Sequence, residues 1–297
     1  MKFINLGLKK SRHIITIVMF VVVVLLAASC STTYKTLKKG DPDKIYALAM
    51  QQYEAEEWNK AINLFNTAEP YFSNYSRDDS LKFYRARSAY KDNDFEYAIV
   101  LLDDYRKEYG RSPFIEDAEG MYTMSHYYIA PDAKRDQTPI EKAIYTINEF
   151  MSRHPNSEKI EEFRAIKAEL IDRLFEKAYL NAYTYYKTGY YKSAIIAFKN
   201  AIKEYPESSY REDMLYYTVA SAFKLADNSV LSKKEDRFLQ MIDSYYTFIA
   251  EFPESKYRKT ADDMLAKGRK YLDEEDEKRE KGEVANKDTE SADRKRK

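Results

Sequence analysis

One short pattern recurs along this chain and limits what it can fold into. Glu57-Trp58-Asn59-Lys60-Ala61-Ile62-Asn63-Leu64-Phe65-Asn66-Thr67-Ala68 reads aromatic, alanine three on, aromatic four beyond, alanine three further. Tyr191, Ala194, Phe198 and Ala201 repeat it, Phe95, Ala98, Leu102 and Tyr105 follow closely, and Ala143, Ile147 and Phe150 form a looser copy. Spacings of three and four put these residues on one face of a helix. A small residue stands twelve positions before the key alanine (Ala49, Ala86, Ala182), and a stop twelve positions after it (Gly110, Pro155, Pro206), with Pro253 closing a further copy. Each unit is therefore two helices and a stop.

The stops share their own wording: Arg153-His154-Pro155-Asn156-Ser157, Glu204-Tyr205-Pro206-Glu207-Ser208 and Glu251-Phe252-Pro253-Glu254-Ser255. Proline ends the outgoing helix, and Ser or Asn caps the incoming one. This pattern resembles the tetratricopeptide repeat, a helix–turn–helix of about 34 residues, over residues 42–272. The resemblance implies an all-α superhelix of about five irregular helical hairpins with a C-terminal capping helix. Small residues let paired helices approach, and aromatics fill the space between hairpins. Only seven glycines and eight prolines against 28 tyrosines suit such layers. The stops lie 45, 51 and 47 residues apart, which implies inserts around Ala130–Asp136 and Asp227–Leu231 and an extra helix over Glu158–Glu176 running into repeat four. A helix over Lys256–Leu272 should cap the stack. From Asp273 onward the chain is almost wholly charged, and such a segment buries too little to order itself.

Lys2, Lys9, Lys10 and Arg12 precede an apolar run from Ile14 to Ala28. The run is shorter than the roughly 20 residues of a bilayer span and fits the core of a secretory signal. Leu26-Ala27-Ala28-Ser29-Cys30 looks like a lipobox, with Leu one place early. The lone cysteine has no disulfide partner, so the expected modification is a lipid: S-diacylglycerol and an N-acyl group on Cys30, with no other cofactor. Ser31 and Thr32, with no Asp after the cysteine, point to the outer membrane. The organisation read from this is signal peptide 1–29, lipidated linker 30–41, N-terminal repeats 42–157, C-terminal repeats and cap 158–272, and charged tail 273–297.

Forty-nine basic residues balance forty-nine acidic ones, which leaves no nucleic-acid footprint. Of three histidines, His13 leaves with the leader, and His126 and His154 fall in different repeats. No zinc site or Ser–His–Asp triad is expected from that set. The glycines are scattered singly, so no phosphate-cradling loop forms, and the expectation is a non-enzyme.

What remains is surface. In a tetratricopeptide stack the first helices line the inner side. The key alanines put Tyr46, Met50 and Tyr53 of repeat one there, and Phe83, Arg87 and Tyr90 of repeat two. Aligning Asp117 with Asp79 adds Met121, Ser125 and Tyr128. This aromatic, methionine-lined groove with one cation suits an extended peptide with aromatic side chains and a free carboxylate. Trp58, Phe95 and Tyr191 are expected in the core.

A lipobox followed by about five irregular repeats, with stops such as Phe252-Pro253-Glu254-Ser255-Lys256-Tyr257, resembles the BamD family of outer-membrane β-barrel assembly lipoproteins. The loose lipobox and the Tyr- and Lys-rich composition would suit a Bacteroidetes member. The resemblance implies a periplasm-facing scaffold held to the membrane by its lipid. Its first repeats would take targeting segments of unfolded outer-membrane β-barrel proteins. Its last repeats would dock the periplasmic domains of the barrel-forming subunit. Two other readings stay open: a lipoprotein coordinating peptidoglycan enzymes, and a small glycan-binding lipoprotein of the starch-utilisation type.

Overall fold

A computed structural model describes residues 41–72 and 77–294, with side chains to Lys281. The leader, Cys30 and the linker lie outside the described residues. Eleven helices and no strand occur among those described: α1 Pro42–Glu54, α2 Trp58–Phe72, α3 Asp78–Lys91, α4 Phe95–Glu108, α5 Ile115–Ile129, α6 Thr138–Arg153, α7 Ile160–Lys187, α8 Tyr191–Glu204, α9 Arg211–Asp227, α10 Leu231–Glu251 and α11 Arg258–Arg294. The chain divides into two units. Unit one holds the described part of residues 1–130 with Tyr145–Phe163, and unit two holds Pro131–Ile144 with Arg164–Lys297.

Within each unit, neighbouring helices pack as hairpins: α1 on α2, α2 on α3, α3 on α4 and α4 on α5 in unit one; α8 on α9, α9 on α10 and α10 on α11 in unit two. The small residues are the contact points. Ala49, Ala61, Ala86, Ala98, Ala182 and Ala194 are all fully buried, with Phe65, Leu102 and Phe198 beside them. Where the fourth stop would place another alanine, the chain has Met241, also fully buried. Gly268 of α11 makes the room: a Cβ there would lie 2.5 Å from the Met241 Cε.

The turn inside each hairpin has a fixed requirement. Five residues before the key alanine, Glu56, Asn93 and Gly189 all take positive φ (57°, 61° and 81°). Asn and Gly accept the left-handed conformation readily, whereas Glu pays about 1–2 kcal/mol.

The stops act as clasps between repeats. Ser112, Ser157, Ser208 and Ser255 each accept from the backbone N–H two residues on, at 3.0–3.2 Å. Three of them also donate to an acid in the first turn of the preceding repeat's first helix: Ser112 to Asp79 (3.1 Å), Ser157 to Glu116 (2.6 Å) and Ser255 to Glu212 (2.5 Å). Carboxylates there also face the positive end of the helix dipole. The next or preceding acid adds a second grip, as in Tyr109 to Asp78, Lys159 to Asp117 and Tyr257 to Asp213.

Several expectations change in detail. The extra helix and the first helix of repeat four form one continuous 28-residue helix, α7, because no Gly or Pro interrupts 160–187. The insert at 130–137 is a loop, tied to α7 by Lys177, which donates to the Lys134 and Arg135 carbonyls. The one at 227–231 is not: only three residues separate α9 from α10, and the added length lies in helices of 17 and 21 residues. The final helix does not stop at Leu272 but runs to Arg294. Charge pairs one turn apart, Lys278–Glu275 and Lys281–Glu277, support its polar half.

Candidate peptide-binding groove

The first helices α3 and α5 of unit one meet the start of α7 around a cleft of about 240 Å³. Arg87 and Tyr90 enter from α3, Met121, Met124 and Tyr128 from α5, and Phe163 from α7. Four of the expected groove residues thus come together: Arg87, Tyr90, Met121 and Tyr128. Tyr128 is half exposed and stacks on Phe95 at 4.5 Å, with Tyr90 edge-on to Phe95 at 5.8 Å. Phe95, expected as core, is therefore a half-buried support for the groove wall. Trp58 and Tyr191 are likewise only half-buried. Burial, followed by its neighbours Tyr128 and Glu162, pushes the Tyr90 phenol up to about 12. It stays a hydrogen-bond donor at any physiological pH.

Of the charges on the cleft, Lys159 and Asp117 pair with each other, while Arg87, Lys91 and Glu162 make no ion pair among the described residues. Lys159 reaches Asp117 at 2.9 Å, crossing Gly120, where a Cβ would meet the lysine Cδ at 3.2 Å. Arg87 lies 5.8 Å from the Phe83 ring centre and makes no ion pair among the described residues. A guanidinium held against an aromatic face, with no carboxylate partner among the described residues, is suited to accept one.

The remaining expected residues do other work. Phe83 is 1% exposed, stacked on Phe114 at 4.5 Å, and belongs to the core. Ser125 is fully buried and bonds its own helix at the Met121 carbonyl. The clasp sets the register here: Ser157 bonds Glu116, so Glu116 and not Asp117 is the counterpart of Asp79. The register of repeat three moves by one, which turns Ser125 inward and puts Gly120 and Met124 on the cleft. Tyr46 packs between Phe65 and Phe72 and bonds Ser80 at 3.1 Å. Tyr53 packs between Trp58 and Tyr84, and Met50 joins the same repeat-one core. These three join hairpins and do not line the cleft. Lys159, Glu162 and Phe163 were missed, because they follow a stop and belong to no repeat.

His126 is buried edge-on to Tyr122, and His154 bonds the buried Glu119 at 2.7 Å. Among the described residues, no cluster of His, Cys, Asp and Glu could hold a metal ion. No described helix is long and apolar enough to cross a membrane.

Helical hairpins with a small-residue register, serine clasps and an open inner cleft define an all-α tetratricopeptide-type protein. Residues 38–179 and 172–278 match the YfiO family, described as outer membrane lipoprotein, and the chain belongs to that family. It is similar to a protein of Aquifex aeolicus, 25% identical over 213 residues (71% of this chain, 69% of the relative). It is also similar to the outer membrane protein assembly factor BamD of Caulobacter vibrioides, 26% identical (62% and 60% covered). The protein of the same name in Neisseria meningitidis serogroup B is 23% identical (80% and 93% covered).

Proposed function

We propose that this outer membrane lipoprotein is an outer-membrane protein assembly factor, a periplasm-facing scaffold anchored by a lipid on Cys30. In unit one, the groove takes an extended segment of an unfolded β-barrel protein that ends in an aromatic residue. Its ring lies against Tyr90, Tyr128 and the two methionines, and its carboxylate meets Arg87. In unit two, the helices dock the periplasmic domains of the barrel-forming subunit. The observation that carries the first part is Arg87, without an ion pair among the described residues, in an aromatic, methionine-lined cleft. Family membership favours assembly over peptidoglycan-enzyme coordination or glycan binding.

Copurification tests the scaffold. Pulled from detergent-solubilised envelope, the chain should bring a β-barrel assembly subunit with it. Recovery as a free protein that binds oligosaccharide would overturn the reading. Cys30→Ala should release a folded protein from the membrane fraction.

A further inference from the structure

The second helices of successive hairpins leave a slot over the first helix between them, and the chain fills that slot differently along its length. Between repeats one and two, Arg85 occupies it, paired with Glu69. Between repeats two and three, Arg106 does so, 4.5 Å from the Tyr122 ring centre and paired with Glu149. Only about 10 Å³ remains beside it. In unit two, the matching slot between α8 and α10, over α9, is a cleft of about 370 Å³.

The sequence shows why it is open. Aligning Ala98 with Ala194, Glu116 with Glu212 and Ala143 with Met241 sets Arg106 against Ile202, Tyr122 against Thr218, and Glu149 against Thr247. Glu119 falls against Leu215. Each charged or bulky plug is replaced by a shorter or apolar side chain, so the walls are Ile195 and Ile202 and the floor is Leu215, Thr218 and Ala222. At the mouth, Arg211 is held by Glu251 at 2.7 Å. Lys199 and Arg237 have no ion pair among the described residues, against one such acid, Asp243.

We propose that this cleft is a docking slot for a protein partner presenting one large apolar side chain flanked by carboxylates. The apolar side chain takes the place that Arg106 and Tyr122 fill in unit one. The carboxylates meet Lys199 and Arg237, the excess positive charge at the rim. The slot depends on the scaffold reading for its kind of occupant, but it shares no residue with the groove around Arg87. A volume of this size is in the range of formed ligand pockets, about 300–1,000 Å³.

The test uses the full-length lipoprotein in detergent and two fluorescent helical peptides, one with a central Phe flanked by Glu and one with the same Phe flanked by Lys. The Glu peptide should bind at least about tenfold more tightly than the Lys peptide. Lys199→Glu combined with Arg237→Glu, both at the rim, should weaken the Glu peptide by a similar factor. Thr218→Tyr, which restores the plug seen at Tyr122, should do the same, whereas Arg87→Gln should leave it unchanged. Equal binding of the two peptides, or no effect of the rim charges, would overturn the slot. So would a concentration-dependent dimer abolished by the same variants, because a second copy would then be the occupant. Failure of the Arg87 groove would show instead as indifference to Arg87→Gln with a peptide ending in Phe.

Discussion

Units one and two are built from the same hairpin but leave opposite sides open. In unit one, the first helices part around Arg87 and Met121, while Arg106 plugs the slot between second helices. In unit two, the counterparts of Arg87 and Met121 are Tyr183 and Tyr217, whose rings meet at 4.8 Å. Tyr179 and Tyr186 pack on the same cluster, and the open space lies on the other side, over Thr218. The small-residue register holds in both units. What differs is which positions carry long side chains, and that choice decides where a partner can enter.

The largest expected effect concerns whether the units stand on separate cores. Phe198→Ala removes a fully buried ring of unit two and should cost about 3–5 kcal/mol. Hydrogen exchange should speed up across residues 164–281 and stay unchanged across 41–130. Equal loss in both would make the two units one cooperative body.

The plugged and open slots should respond differently. Arg106→Ala deprives the buried Glu119 and the half-buried Glu149 of a partner, and should cost about 1–3 kcal/mol by denaturant unfolding. Lys199→Ala, at the exposed rim of the open slot, should fall within about 0.5 kcal/mol. A similar cost for both would remove the distinction.

Alkali should expose the tyrosine packing. Burial raises Tyr90 to about 12 and raises Tyr105, Tyr179 and Tyr217 from the ordinary 10.0. A folded-state phenol raised above its unfolded value contributes stability that is fully present below pH 10 and lost as pH rises through the folded value. Denaturation midpoints should therefore hold steady to about pH 10 and fall beyond it, with phenolate absorbance lagging in the folded protein. A midpoint that already falls between pH 8 and 10 would point to other groups.

Smaller changes test the joints common to both units. Ser157→Ala loses the cap and the bond to Glu116 and should cost about 1 kcal/mol. Glu56→Gly relieves a left-handed residue and should add up to about 1 kcal/mol.

The hairpins were legible because alanine, aromatic and stop recur at helical spacing, and burial puts each key alanine at zero exposure. Where the period broke, lengths were read less well. Extra residues after Asp227 could be a loop or longer helices, and only packing of Phe238 and Met241 against α11 favours helices. Arg87 and Tyr90 were legible from register alone. Phe83 was not, because the ring that draws it inward, Phe114, sits in a turn outside any periodic segment. The clasp from Ser157 to Glu116 spans 41 residues, so the one-residue register shift in repeat three has no local signal.

The most direct test of the Arg87 groove is the affinity of the full-length lipoprotein for one peptide ending in Phe, prepared as free acid and as amide. The acid should bind about tenfold more tightly, and Arg87→Gln should erase that difference while leaving amide binding and the fold intact. Equal affinity for acid and amide, or a preference for the acid that survives Arg87→Gln, would contradict it.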